Sequence, residues 1–221
     1  MTRDEAMAEL KSLGNEGVRK HNAKNGAGEN QFGVKMGDIR TLAKKIKSDH
    51  KLALELWETG NLEGRLLATL IIDIKKLTAG DLDKMIRSIG YGHLADWFIC
   101  YVVKQHSEKE SLRKRWMADN DPSAGRAGWS LTTESVTKSP DNLDFTALLD
   151  RIEKEMATAP ELAKWSMNFC LIDIGIHSPE HRNRAISIGE KIGAYRDYPV
   201  SKGCISPFAP IAITELAKRK S

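Results

Sequence analysis

Apolar residues recur along this chain at helical spacing and almost nowhere at strand spacing, which restricts it to folds built from packed helices. In Asp38-Ile39-Arg40-Thr41-Leu42-Ala43-Lys44-Lys45-Ile46, residues 39, 42, 43 and 46 share one helical face, and Arg40, Lys44, Lys45 and Lys47 fall on the other. This predicts an amphipathic helix with a basic outer side. Thr78-Ala-Gly-Asp81 and Ser107-Glu-Lys-Glu110 read as capping boxes, and Ser178-Pro179 reads as an N-cap with proline at the first helical position. Gly60, Gly90, Gly175 and Gly193 follow helical stretches, and Pro140, Pro160 and Pro199 break them. The spacing predicts helices over 2–19, 36–48, 50–58, 61–73, 79–88, 92–105, 108–118, 122–136, 143–156, 160–174, 179–192 and 207–219. Leu70-Ile71-Ile72-Asp73-Ile74 reads as the end of a buried helix rather than as a strand.

With 221 residues, the chain can bury a sizeable core without staples. An apolar share of 41% and a charged share of 29% are those of an ordinary globular protein. No run approaches the roughly 18 apolar residues of a membrane span, and the start has no signal-peptide layout, so a cytoplasmic protein is expected. Cys100, Cys170 and Cys204 include no C-x-x-C pair, which argues against a zinc knuckle or redox pair. The net charge is +4, but residues 61–200 carry 19 basic and 20 acidic groups, so the excess lies at the two ends. A nucleic-acid surface in the middle would have to come from cations gathered on one face.

Four segments superpose without gaps: Leu62-Glu-Gly-Arg65, His93-Leu-Ala-Asp96, Ser123-Ala-Gly-Arg126 and Glu161-Leu-Ala-Lys164. A polar residue falls in the same first turn each time, and another helix separates each pair. The pattern predicts an all-α, HEAT-like helical-repeat solenoid, an α-α superhelix, with Arg65, Asp96, Arg126 and Lys164 along one concave face. The alternative is a compact bundle in which these are ordinary surface charges.

Asp96 lies in the most apolar helix, where a carboxylate either pairs with a neighbour such as Arg65 or Arg126, or faces a cleft as an electrostatic stabiliser or base. Arg126 opposes the dipole at the start of its helix, so it needs a partner, either Asp96 or a phosphate. Trp97, Trp129 and Trp165 could stack on bases or pack in the core. His177 and His181 have the spacing of a metal pair, but no third ligand accompanies them, so no metal or cofactor is expected. Gly26-Ala-Gly28-Glu-Asn-Gln-Phe-Gly33 matches no phosphate-binding fingerprint and reads as a flexible connection.

Several stretches resemble the DNA alkylation repair enzyme family, the AlkD-like glycosylases built from HEAT-like repeats. They are Phe32-Gly-Val-Lys35-Met-Gly-Asp-Ile-Arg40, Leu54-Glu-Leu-Trp57, Glu63-Gly-Arg65-Leu-Leu, Asp96, Trp116-Met-Ala-Asp119-Asn120 with Arg126-Ala127, and Met167-Asn168, in that order over about residues 30–192. The resemblance implies one repeat domain over 1–221, a monomer whose partner is double-stranded DNA, with no membrane and no metal. It also implies excision of cationic N3- or N7-alkylated purines from a duplex held in a basic groove. In that reading Asp96 is the catalytic carboxylate that stabilises the sugar cation, and Arg126 anchors a phosphate. Tyr91, Trp97, Trp129, Trp165 and Phe169 are pocket residues, and Arg65, Lys35, Arg40 and Lys164 are further DNA contacts.

At two positions the chain departs from the family pattern. The tryptophan four residues before the aspartate falls on Gly92, beside Tyr91, and the second pocket tryptophan falls near Phe169. Both changes shrink the aromatic cradle. Three functions stay open: a monofunctional alkylpurine DNA glycosylase, a non-catalytic protein that binds damaged or branched DNA, and a protein-binding helical repeat. The resemblance does not reach the 201–221 tail.

Overall fold

The computed structural model describes residues 1–219. Among them are thirteen α-helices, three short 3-10 turns and no strand. Contacts divide the chain into two compact units, Met1–Lys109 and Glu110–Ser221.

The first unit holds α1 (Arg3–Ser12), α2 (Glu16–Lys24), α3 (Met36–Ile46), α4 (His50–Glu58), α5 (Leu62–Ile71), α6 (Ala79–Arg87) and α7 (Gly92–Tyr101). The helix expected over 2–19 is two helices. Leu13 ends α1, and Asn15 starts α2 by accepting from the N–H of Val18 at 3.0 Å. α5 packs against α4 and also contacts α3 and α7. The sequences explain these contacts: α5 is buried nearly all round, through Leu62, Leu66, Leu67, Ala68 and Ile71, whereas α3 buries only Ile39, Leu42 and Ala43. The predicted helix over 92–105 stops at Tyr101 and continues as a 3-10 turn, Val103–Gln105.

The glycine-rich connection before α3 is pinned rather than loose. Glu63 of α5, with none of its surface exposed, accepts N–H groups from Phe32, Gly33 and Val34 at 2.8, 2.8 and 3.2 Å. Gly33 has φ +78°, and a Cβ there would lie 2.4 Å from the Asn15 carbonyl oxygen. Only glycine fits that position.

The second unit holds α8 (Lys109–Met117, beginning at the boundary), α9 (Pro122–Lys138), α10 (Phe145–Glu155), α11 (Glu161–His177), α12 (Arg182–Ile192) and α13 (Ala209–Lys218). α11 is its centre, packed on α9, α12 and α13, with Met167, Cys170, Leu171, Ile172 and Ile174 in the core. α13 buries Ala209, Pro210, Ala212 and Ile213, and Asn168 of α11 donates to the Pro207 carbonyl at 2.8 Å. The tail is therefore part of this core.

Glu110, in the first turn of α8, accepts from Arg113 at 2.6 Å. One predicted helix start does not form as expected. Ser178 is the C-cap of α11, and its hydroxyl meets His181 Nδ1 at 2.8 Å, so α12 begins at Arg182. The Thr78–Asp81 capping box is present at the start of α6.

Candidate nucleic-acid interface

In the first unit, α7 brings most of the predicted residues together. Leu94, Ala95, Phe98 and Ile99 point into the core, which leaves His93, Asp96 and Cys100 exposed one turn apart. An aromatic ladder runs beside them: ring centroids are 6.0 Å apart for Tyr91 and His93, 5.9 Å for His93 and Trp97, and 4.8 Å for Trp97 and Tyr101. Tyr91 is half-buried, and burial raises its phenol above the ordinary range.

Arg40 of α3 joins this ladder. Its guanidinium carbon lies 4.8 Å from the Trp97 ring centroid, and Nη2 donates to the Tyr101 hydroxyl at 3.2 Å. Trp97 is only 7% exposed, so it offers little ring surface to a ligand. Lys35 is exposed at the N-cap of α3.

Arg65 is occupied by its own unit. Nε donates to the Trp57 carbonyl at 3.1 Å and Nη1 to the Ser88 carbonyl at 2.9 Å, with the guanidinium over the Trp57 ring. Burial lowers its pKa, partly offset by Glu58. A phosphate would have to share these donors with the carbonyls.

In the second unit, Arg126 is 4% exposed and Nη1 donates to the Leu162 carbonyl at 3.0 Å, which ties α9 to the start of α11. Lys164 lies 3.9 Å from Glu161. Trp129 is 3% exposed, under Arg151. Trp165 and Phe169 do come together, at 5.1 Å, and Phe169 is 37% exposed.

Two residues absent from the sequence reading complete that group. The rings of Tyr195 and Tyr198 lie 5.1 and 5.5 Å from Trp165, and Tyr198 is exposed. The Tyr195 hydroxyl donates to Glu161 at 2.7 Å, and burial with this bond raises its phenol far above the ordinary range. The signal for them was the pair of tyrosines three apart in Gly193-Ala-Tyr-Arg-Asp-Tyr-Pro199, just beyond the stop of α12.

Both ring nitrogens of His181 have hydroxyl neighbours, Ser178 at 2.8 Å and Thr146 at 3.4 Å. Cys170 is fully buried, which pushes its thiol up to about 12 and removes it as a nucleophile.

Residues 6–196 match the family model described as DNA alkylation repair enzyme. Over its whole length the chain is 23% identical to an uncharacterized protein of Listeria innocua and 22% identical to one of Listeria monocytogenes, covering 98% of each. A solved structure, described as "a new family of proteins related to the HEAT-like repeat DNA glycosylases with affinity for branched DNA structures", superposes with a TM-score of 0.81 and 27% identity, covering 100% of this chain and 95% of that one. The fold is thus an all-α HEAT-like repeat, and the chain belongs to the DNA alkylation repair enzyme family.

Proposed function

We propose that this chain is a DNA-binding protein selective for branched or distorted DNA, with base excision a secondary activity or none. The observation that carries this reading is the poor aromatic surface around Asp96. Gly92 stands one turn before it, and Trp97 is 7% exposed. An exposed carboxylate without broad aromatic faces is a weak trap for a cationic sugar and base. A binding role needs only cations and stacking faces; the first unit supplies exposed cations in Lys35 and Arg40, and the second, by itself, a stacking group in Trp165, Phe169 and Tyr198. The affinity for branched DNA stated for the superposing structure supports the same reading.

The test compares a four-way junction, a flapped duplex and a linear duplex of the same sequence in one buffer. The branched forms are expected to bind more tightly, by about tenfold or more. Equal affinity for all three, or no binding at low salt, refutes the proposal.

Excision stays as the second reading because Asp96 is exposed on α7 with Tyr91 and His93 beside it. It predicts single-turnover release of 7-methylguanine from methylated duplex, lost in Asp96→Asn while DNA binding persists. Full release by that variant removes Asp96 from the chemistry.

A further inference from the structure

A cleft of about 350 Å³ opens at the C-terminal end of α3, away from the residues assigned above except Arg40 and Tyr101. Its walls are Arg40, Lys44 and Lys47 with the hydroxyls of Ser48 and Tyr101, and its floor is the apolar end of α5. No carboxylate lines it. The adjacent Lys45 is held by Glu9 at 3.2 Å, whereas Lys44 and Lys47 have no carboxylate at ion-pair distance among the described residues. Arg40 gives one N–H to Tyr101, which leaves the rest of its guanidinium without a protein acceptor among those residues.

Lysines in a last helical turn complement the dipole, but that end carries only about half a negative charge, and three cations exceed it. The dipole also fails to explain Lys47. Its backbone has φ +69° and ψ −132°, a region that side chains other than glycine's rarely occupy. Its N–H still bonds the Ala43 carbonyl at 2.8 Å, and the next turn is fixed by the Asp49 N–H on the Ile71 carbonyl at 2.9 Å. A lysine is therefore kept at a position shaped for glycine, on the rim of a cleft lined by two other cations.

We propose that this cleft is a phosphate-binding site. Arg40 offers planar donors, Lys44 and Lys47 offer compact charges, and Ser48 and Tyr101 offer hydroxyls, a set suited to phosphate oxygens. The apolar floor accommodates the sugar or base attached to the phosphate. That the phosphate belongs to nucleic acid rests on the DNA-binding reading. Its source is either an internal phosphodiester of a bound strand or a phosphomonoester at a strand end.

The experiment uses the full chain, with Lys44→Gln combined with Lys47→Gly, which removes two charges and relaxes the backbone at 47. Lys51→Gln combined with Lys20→Gln removes the same charge from α4 and α2 and serves as control. Each protein is titrated with a flapped duplex bearing a 5′-phosphate, with the same duplex bearing a 5′-hydroxyl, and with thymidine 5′-monophosphate followed through tryptophan and tyrosine signals. The cleft variant is expected to lose about tenfold in DNA affinity and about two from its salt slope, against less than about twofold loss of affinity in the control. A loss confined to the phosphorylated flap assigns a strand end, and a loss on both flaps assigns an internal phosphate. Equal behaviour of cleft and control variants overturns the proposal. If the chain binds no DNA at all, the mononucleotide decides: a response absent from the cleft variant keeps the phosphate site and discards the DNA reading, and no response discards both.

Discussion

Glu63 holds three backbone N–H groups of the segment before α3 while having no exposed surface itself. Truncation to alanine leaves these donors buried and unsatisfied, so Glu63→Ala is expected to lower unfolding free energy by about 3 kcal/mol, read as a shift of the urea midpoint. Gly33→Ala should cost a similar amount, because its methyl would meet the Asn15 carbonyl and the Arg19 backbone. Sequence reading made the same segment a flexible connection. A carboxylate gripping N–H groups about thirty positions upstream leaves no periodic trace, and glycine is as common in a pinned turn as in a loose one. For the same reason Arg126 was legible as a first-turn arginine that needs a partner and Arg65 as its repeat-equivalent, whereas the acceptors they meet, carbonyls of Leu162, Trp57 and Ser88, were not.

Most helices were legible because apolar spacing and end signals agreed. α4 occupies 50–58 as read, and α3, α5, α6, α8 and α13 lie within two residues of expectation at each end. Where the readings failed, a local signal lost to another interaction, as at Ser178, whose hydroxyl meets His181. The capping box on α6 gives an element-scale prediction. The Thr78 hydroxyl and N–H both donate to Asp81, at 2.7 and 2.8 Å, and hold its carboxyl below the ordinary value. Thr78→Ala should cost about 1 kcal/mol at neutral pH. A lowered folded-state pKa contributes stability above the ordinary carboxylate range and loses it as pH falls through the folded value. The difference between wild type and variant should therefore narrow in denaturant titrations below about pH 4. Sequence reading left Trp97 and Trp129 open between base stacking and core packing, and both sit inward; that Tyr195 and Tyr198 join Trp165 left no trace in helical periodicity, because the tyrosines lie beyond α12.

At the scale of the whole molecule, a net charge of +4 says little about nucleic acid, because acidic and basic groups nearly cancel over most of the chain. What matters is grouping: Lys35, Arg40, Lys44 and Lys47 belong to one helix and its flanks, and the structure leaves all but Arg40 without a polar side-chain partner among the described residues. If these four neutralise DNA phosphates, log affinity should fall with log salt at a slope of about −3 to −4, measured by anisotropy across a salt series. A slope near zero would mean that they do not meet the backbone. The repeat architecture was legible as a rhythm of first-turn polar residues. The contribution of residues 209–218 to the core of the second unit was not, since it depends on contacts with α11 and α12 rather than on any pattern in the tail.

Lys47 and Tyr195 are the non-glycine residues with positive φ among those described, at +69° and +61°. Each left-handed position of this kind costs about 1 to 2 kcal/mol relative to a residue free to adopt it. At Tyr195 the ring contact with Trp165 and the bond to Glu161 offset that cost, whereas Lys47 has no such contact among the described residues. Under selection for persistence of the fold alone, position 47 would therefore drift toward glycine, and a thermostability screen should recover glycine there. That codon serves as a gauge across relatives: those that keep a long cation there retain the surface for a purpose, and those that have relaxed to glycine retain only the scaffold.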